Sequence, residues 1–351
     1  MAWQGIEGHD AIAERFVAAH ARGRVSGSYL FVGPPGIGKG TFALALARSL
    51  TCERPQPGLA ACGACGSCVQ ALAGSHPDID VVRKPDDRST IPLELLIGDD
   101  DHRMREGLCW RILLKPVLGP RKVAVIMDAD HFSDEAANCL LKTLEEPPAG
   151  AAIILVGTAL ERQLPTIRSR CQVIRFAALP DAVVRQVLER ETAAAGAPVD
   201  AATLDRCSRS AGGSLSRGRL LLDPEVTAFR RRLFDLLAAR PLHGVDLARE
   251  TTAFVEAAGK EAPPRRTRLR LVLDATLDVL RQAARRGVGA AAGDPAIDRA
   301  ATAWSADADI TTAAIDRTLD AADAVDRNAN LGVLVDAWTA VLEEPRLGRL
   351  R

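Results

Sequence analysis

The sequence predicts an α/β region built on a parallel sheet, followed by an all-α region. Up to Phe176, short apolar runs of strand length alternate with stretches of helical periodicity, which is typical of strands covered by helices on both faces. The predicted strands are residues 28–32, 79–82, 122–127, 153–156 and 173–176. Beyond Phe176 the strand pattern stops, and Ala, Leu, Arg and acidic residues recur with helical spacing.

The change in composition after Phe176 predicts a domain boundary. Residues 177–180 resemble a hinge, and the glycine pair at 212–213 divides the helical region into a small bundle and a larger one. The stretch 261–266 contains two prolines and is predicted to be a loop. Three domains are therefore expected, at residues 1–176, 177–223 and 224–351.

The composition is that of a soluble globular protein, because 47% of the 351 residues are hydrophobic and 45 basic residues balance 45 acidic ones. A neutral chain is not expected to bind DNA by itself, since non-specific binding relies on neutralising phosphates with Lys and Arg. The apolar runs are far shorter than the roughly 20 residues of a membrane helix, and the N-terminus has no secretion signal. We expect a cytoplasmic protein without membrane contact, whose cysteines are reduced thiols or metal ligands.

A phosphate-binding loop is predicted between the first strand and the helix over residues 41–50. The run Gly33-Pro-Pro-Gly-Ile-Gly-Lys39 fits the first seven positions of G-x-x-x-x-G-K-[ST], in which backbone amides wrap the phosphates and the lysine reaches the terminal ones. The eighth position is Gly40, and Thr41 comes one place late for a magnesium ligand. Binding of ATP and Mg²⁺ is therefore left open. The candidate nucleotide-binding residues are Gly33, Gly36, Gly38, Lys39, Gly40 and Thr41.

An acidic residue ends the strand predicted at 122–127. Asp128 follows that apolar strand directly, as the carboxylate that orients magnesium does in a Walker B strand. A bland alternative is that Asp128 caps the following turn.

Four cysteines, spaced C-x9-C-x2-C-x2-C, follow the phosphate-loop helix. Four thiolates held by short glycine-containing turns suit tetrahedral Zn²⁺, and a site with four protein ligands is structural. The alternative is a set of unmetallated thiols. The predicted zinc ligands are Cys52, Cys62, Cys65 and Cys68.

A longer run identifies a family. The segment 132–148 contains Asn138-Cys-Leu-Leu-Lys-Thr-Leu-Glu-Glu-Pro-Pro148, which matches N-A-L-L-K-x-L-E-E-P-P with Cys139 in place of Ala. Together with the phosphate loop and the Ser169-Arg170-Cys171 motif, it strongly resembles the bacterial clamp-loader AAA+ family of DNA polymerase III. The resemblance is dense over residues 5–176 and thinner beyond.

This resemblance implies roles for further residues. Arg170 matches the arginine finger that projects into the ATP site of an adjacent subunit, although it could simply close a helix. Thr158 lies at the sensor-1 position, although it could be a turn residue. A hydrolysing subunit has Glu directly after the Walker B Asp, whereas this chain has Ala129. The resemblance thus favours a stator that gives a finger in trans and hydrolyses little or no ATP.

The family also implies an architecture and partners. We expect an AAA+ domain with a zinc knuckle at 52–68, a helical lid at 177–223 and a helical oligomerisation collar at 224–351. The expected partners are the other clamp-loader subunits (gamma or tau, and delta), the sliding clamp, and primed DNA reached through this hetero-oligomer. Two alternatives remain: a gamma-type motor in which Thr41 and Asp130 replace the lost groups, and an AAA+ scaffold of another replication or repair assembly.

Overall fold

The computed structural model describes residues 3–25, 27–103, 105–289 and 297–343. The chain divides into two compact units, Met1–Gly218 and Arg219–Arg351. The three-domain division expected from the sequence is finer than this one, and the separate lid within the first unit stays a prediction.

The first unit contains a parallel sheet of five strands among the described residues. Its order is β2-β3-β4-β1-β5, so the first strand lies between the fourth and the fifth. Each predicted strand is confirmed, with ends shifted by at most one residue. The strands are β1 Gly27–Val32, β2 Ile79–Val82, β3 Val123–Ile126, β4 Ala152–Val156 and β5 Gln172–Arg175.

Helices connect the strands and continue beyond β5. In the first unit they are α1 Asp10–Ala21, α2 Lys39–Thr51, α3 Gly66–Leu72, α4 Glu94–Ile97, α5 Leu108–Arg111, α6 Asp134–Glu145, α7 Pro165–Arg168, α8 Asp181–Ala194 and α9 Ala201–Ser210, with α10 Leu215–Leu221 at the border between the units. The helix predicted at 41–50 thus begins two residues earlier, at the lysine of the phosphate loop.

The two faces of β1 are buried in different surroundings, because side chains alternate along a strand. On one face, Leu30 belongs to the core cluster that includes the buried leucines of α6. On the other face, Phe31 packs against Phe16 of α1 and Phe42 of α2, with ring centroids 5.9–6.0 Å apart. β1 is therefore held firmly between β4 and β5, and the loop that follows it has a fixed starting point.

The second unit is entirely helical over its described residues. Its helices are α11 Pro224–Ala238, α12 Gly244–Glu256, α13 Ala262–Gly287, α14 Asp298–Trp304, α15 Ala308–Asp326 and α16 Leu331–Glu343. Buried indole groups join them: Trp304 Nε1 donates to the carbonyl of Leu237 at 3.0 Å, and Trp338 Nε1 donates to Thr318 Oγ1 at 3.1 Å. Among the described residues, no helix is long and apolar enough to cross a membrane.

The loop predicted at 261–266 is wrong. Helix α13 begins at Ala262, and Pro263 and Pro264 lie in its first turn. The first N–H groups of a helix have no intrahelical acceptor, so prolines there lose no hydrogen bond, and their fixed φ suits the helix.

Candidate nucleotide and zinc sites

The phosphate loop lies where the carboxyl ends of the parallel strands meet. Its first residue, Gly33, donates its N–H to the carbonyl of Thr158 at 3.0 Å, and Phe176 donates to the carbonyl of Val32 at 2.8 Å. A Cβ on Gly33 would collide with the carbonyl oxygen of Phe176. Close packing of the strand ends therefore requires glycine at this position.

The middle of the loop contacts the segment that opens α10. Gly36 has φ of 75°, and a Cβ on it would collide with Ser214 Oγ. Its carbonyl accepts the N–H of Ser216 at 3.2 Å. Gly38 follows in the left-handed N-cap position of α2, with φ of 96°. The loop is thus closed on one side by the region predicted as the lid.

Lys39 is folded back onto its own loop. Only 6% of it is exposed, and its Nζ donates to the carbonyl oxygens of Gly33 and Pro34, both at 2.6 Å. Burial lowers the pKa of Lys39 to about 8, and the negative charge of Asp130 opposes this effect. The lysine has the location that the loop motif requires, and the loop carbonyls satisfy it without an added ligand.

The position at which the loop motif has a Ser or Thr hydroxyl to bind magnesium is occupied by Gly40. Gly40 faces the end of β3, so that a Cβ on it would lie 3.2 Å from Met127 Sδ. Thr41 is exposed. Successive helix residues are rotated by about 100°, so Thr41 does not take over the direction of residue 40.

Three consecutive residues after β3, Asp128 to Asp130, differ in their surroundings. Asp128 is exposed, has a left-handed φ of 55° and begins the 3₁₀ turn Ala129–His131. Its side chain makes no capping hydrogen bond among the described residues, which disfavours the turn-cap alternative. Ala129 is buried and offers no proton acceptor to a water molecule.

Asp130 ties this turn to the loop after β4. One carboxylate oxygen accepts the N–H of Thr158 at 2.7 Å, and the other accepts from Nε2 of Gln163, which is 4% exposed. The backbone of Thr158 thus joins Asp130 to Gly33. The sequence held no signal for the part played by Gln163, because its contact with Asp130 exists only once β3 and β4 lie side by side.

Arg170 lies just after α7, and its hydrogen-bond partners lie outside the phosphate loop. Its Nε donates to Glu145 Oε2 at 3.1 Å, and its Nη1 donates to the Thr166 carbonyl at 3.1 Å and to Ser169 Oγ at 3.3 Å. None of these partners belongs to the chain's own nucleotide site. About 30% of the Arg170 side chain is exposed.

The four cysteines predicted as metal ligands come together. Their Sγ atoms all lie within 4.8 Å of one another, with 3.9 Å between Cys52 and Cys65 and 3.9 Å between Cys62 and Cys68. Tetrahedral zinc with Zn–S bonds of about 2.3 Å needs S–S separations of about 3.8 Å, so the thiols fit this ion. Backbone N–H groups of Ala64 and Cys65 lower the pKa of Cys62 to about 6, which favours the thiolate that a metal requires.

Buried polar side chains anchor this knuckle to the sheet. Asp78 donates its N–H to His76 Nδ1 at 2.9 Å, so Nε2 of the neutral ring carries the proton and faces Ser67 Oγ at 2.8 Å. Ser67 Oγ in turn donates to the carbonyl of Thr51 at 2.7 Å. The sequence had suggested no role for His76, since no metal or triad spacing includes it.

Comparisons with known proteins give the same family. Residues 8–180 match the family described as "DNA polymerase III, delta subunit". The chain is 35% identical over 178 residues to DNA polymerase III subunit delta' of Escherichia coli, covering 51% of this chain and 50% of that one. It is 34% identical over 220 residues to delta' of Yersinia pestis, covering 62% of each. It is also 34% identical over 209 residues to subunit gamma/tau of Mycobacterium tuberculosis, covering 60% of this chain and 34% of the relative.

The chain thus spans between a third and two thirds of the length of these relatives. Among solved structures, a gamma subunit-related protein from Thermotoga maritima aligns with 97% of the chain at 14% identity and a TM-score of 0.38. From the family match and the relatives together, the chain belongs to the clamp-loader family of DNA polymerase III and resembles its delta' subunits.

Proposed function

We propose that this chain is a delta-prime-like stator in a clamp loader of DNA polymerase III. It supplies Arg170 to the ATP site of a neighbouring subunit and hydrolyses little or no ATP itself. The observation that carries the proposal is a contrast: the chain's own nucleotide site lacks the groups for hydrolysis, while the arginine that matches the finger is present and partly exposed.

The loss of hydrolysis follows from three positions. Gly40 has no hydroxyl for magnesium, and Ala129 has no group that could take a proton from water. Loss of a general base costs about 100- to 10,000-fold in rate. Asp130 is a poor replacement, because both of its oxygens accept hydrogen bonds from the loop after β4. The glycines, Lys39 and the start of α2 keep the elements that bind phosphate.

The same observations weigh against the motor alternative. A gamma-type motor would need Thr41 and Asp130 in place of the missing groups. Thr41 is exposed one position beyond the required site, and Asp130 is already bound by Thr158 and Gln163. The scaffold alternative differs from the stator in its partners, because it predicts that the chain does not associate with the polymerase III subunits.

The proposed setting follows from the relatives. The chain would join gamma or tau and delta subunits in a cytoplasmic hetero-oligomer through its C-terminal helical unit, the proposed collar. The neighbouring subunits would power the opening of the sliding clamp and its placement on primed DNA. The cysteine knuckle would hold one structural zinc ion, which supports the fold and takes no part in hydrolysis.

ATP hydrolysis by the purified chain tests the proposal, first alone and then with the cognate loader subunits, clamp and primed DNA. We expect an inert lone chain and an assembled loader that is slowed by Arg170→Ala. Arg168→Ala is the matched control, because Arg168 is exposed two residues away and should leave the rate unchanged. Hydrolysis by the lone chain that Lys39→Ala abolishes would instead identify a motor subunit.

A further inference from the structure

Arg170 is held by a residue outside its own motif. Glu145 is the last residue of α6, and its Oε2 accepts the Nε–H of Arg170 at 3.1 Å. The two residues are 25 positions apart in sequence and meet only because α6 ends beside the turn after α7. The Glu145 side chain is 60% exposed, so this pair lies at the surface.

The contacts divide the guanidinium into two sides. The Nε–H points to Glu145, and Nη1 donates to Thr166 and Ser169. Within the described residues, Nη2 makes no hydrogen bond. A guanidinium is rigid and planar, so holding Nε and Nη1 also sets the direction of Nη2.

The pair of Glu145 and Arg170 borders an open cleft. This cleft has a volume of about 350 Å³, and Glu145 and Arg170 are the two charged residues that line it, beside Gly27, Ser28 and Pro148. The guanidinium is therefore both oriented from within the chain and reachable from outside it.

We propose that Glu145 is the positioning residue of the arginine finger. It fixes the Nε edge of Arg170 so that the Nη2 edge is presented to phosphate oxygens of a neighbouring subunit. This inference rests on the proposed function of Arg170. Preset orientation matters because a misplacement of about 1 Å can cost about 100-fold in rate, whereas a free arginine would sample many rotamers.

The exposure of the pair makes the proposal testable without unfolding the protein. Surface ion pairs contribute little to stability, so substitution of Glu145 should leave the thermal midpoint and the assembly of the loader unchanged. Glu146 is the matched control. It is the next residue of the same run, it is exposed, and its side chain makes no hydrogen bond or ion pair with another described residue.

The experiment measures ATP hydrolysis by the assembled loader against ATP concentration, with clamp and primed DNA present. We expect Glu145→Ala to lower kcat about tenfold with little change in KM, because the finger acts on the transition state rather than on nucleotide binding. Glu145→Gln should keep most of the rate, since its amide oxygen still accepts the Nε–H. Glu146→Gln should match the wild type.

A double variant separates positioning from other effects. If Glu145 acts through Arg170, adding Glu145→Ala to Arg170→Ala should lower kcat no further. A further fall, an increase in kcat for Glu145→Ala, or equal rates for Glu145→Ala and Glu146→Gln would overturn the proposal. If Arg170→Ala has no effect, the stator function fails as well, whereas a normal Arg170→Ala effect with a silent Glu145→Ala overturns only the positioning role.

Discussion

Replacing Lys39 with methionine should stabilise the nucleotide-free chain at neutral pH. The lysine is 6% exposed, and burial lowers its pKa from 10.5 to about 8 against the attraction of Asp130. A cation whose pKa falls on folding costs stability at every pH below the folded value. This cost disappears as the pH rises from about 8 to 10.5, because the unfolded chain binds the extra proton over that range.

The magnitude follows from the two pKa values. A fall from 10.5 to about 8 costs roughly 3 kcal/mol at pH 7 and roughly 1 kcal/mol at pH 9.5. Methionine has a similar length and no charge, and its own packing contributes equally at both pH values. The advantage of Lys39→Met over the wild type should therefore shrink by about 2 kcal/mol between pH 7 and pH 9.5.

Urea unfolding at the two pH values, without nucleotide, measures this difference. Lys122→Met is the control, because Lys122 is equally buried at 5% exposure but lies 3.4 Å from the carboxylate of Asp78. Its loss leaves a buried carboxylate without its cation and should destabilise the chain. If Lys39→Met is less stable than the wild type at pH 7, or if its advantage does not change with pH, burial is not the main influence on the pKa of Lys39.

Two further predictions concern the knuckle and its anchor. Purified wild-type chain should contain one zinc ion, and Cys65→Ser should lose this ion together with about 4 kcal/mol of stability or more. Metal analysis checks the zinc content, with Cys139→Ala as a control for loss of a cysteine. A full equivalent of zinc in Cys65→Ser would contradict the prediction. Asp78→Asn should cost about 3–5 kcal/mol in denaturant unfolding at pH 7, because Asp78 is fully buried with Lys122. Burial raises the pKa of Asp78, but the N–H groups of residues 117–119 outweigh this effect and lower the pKa below 3.8. The stability that the Asp78 carboxylate contributes should therefore be lost in acid. Equal stability of the wild type and Asp78→Asn at pH 7 would refute the prediction.

Local patterns were sufficient for the elements of the sheet and for the knuckle. Strands buried on both faces form continuous apolar runs, and β3 and β4 are such runs, with every residue buried. The cysteine spacing predicted a cluster of four thiols because short turns restrict where neighbouring ligands can lie. The proline-containing first turn of α13 misled the prediction, since the same residues that break a helix interior are tolerated in a first turn.

The strands, the phosphate loop and the cysteine cluster could be located from the sequence, since each depends on residues close together along the chain. The contacts of Asp130 with Gln163, of Lys39 with the loop carbonyls and of Glu145 with Arg170 could not, because they arise only in the folded chain. The contacts of Asp130 and Glu145 join residues 33 and 25 positions apart. They depend on which strands and helices become neighbours, and that order is set by packing of the whole sheet rather than by any local pattern.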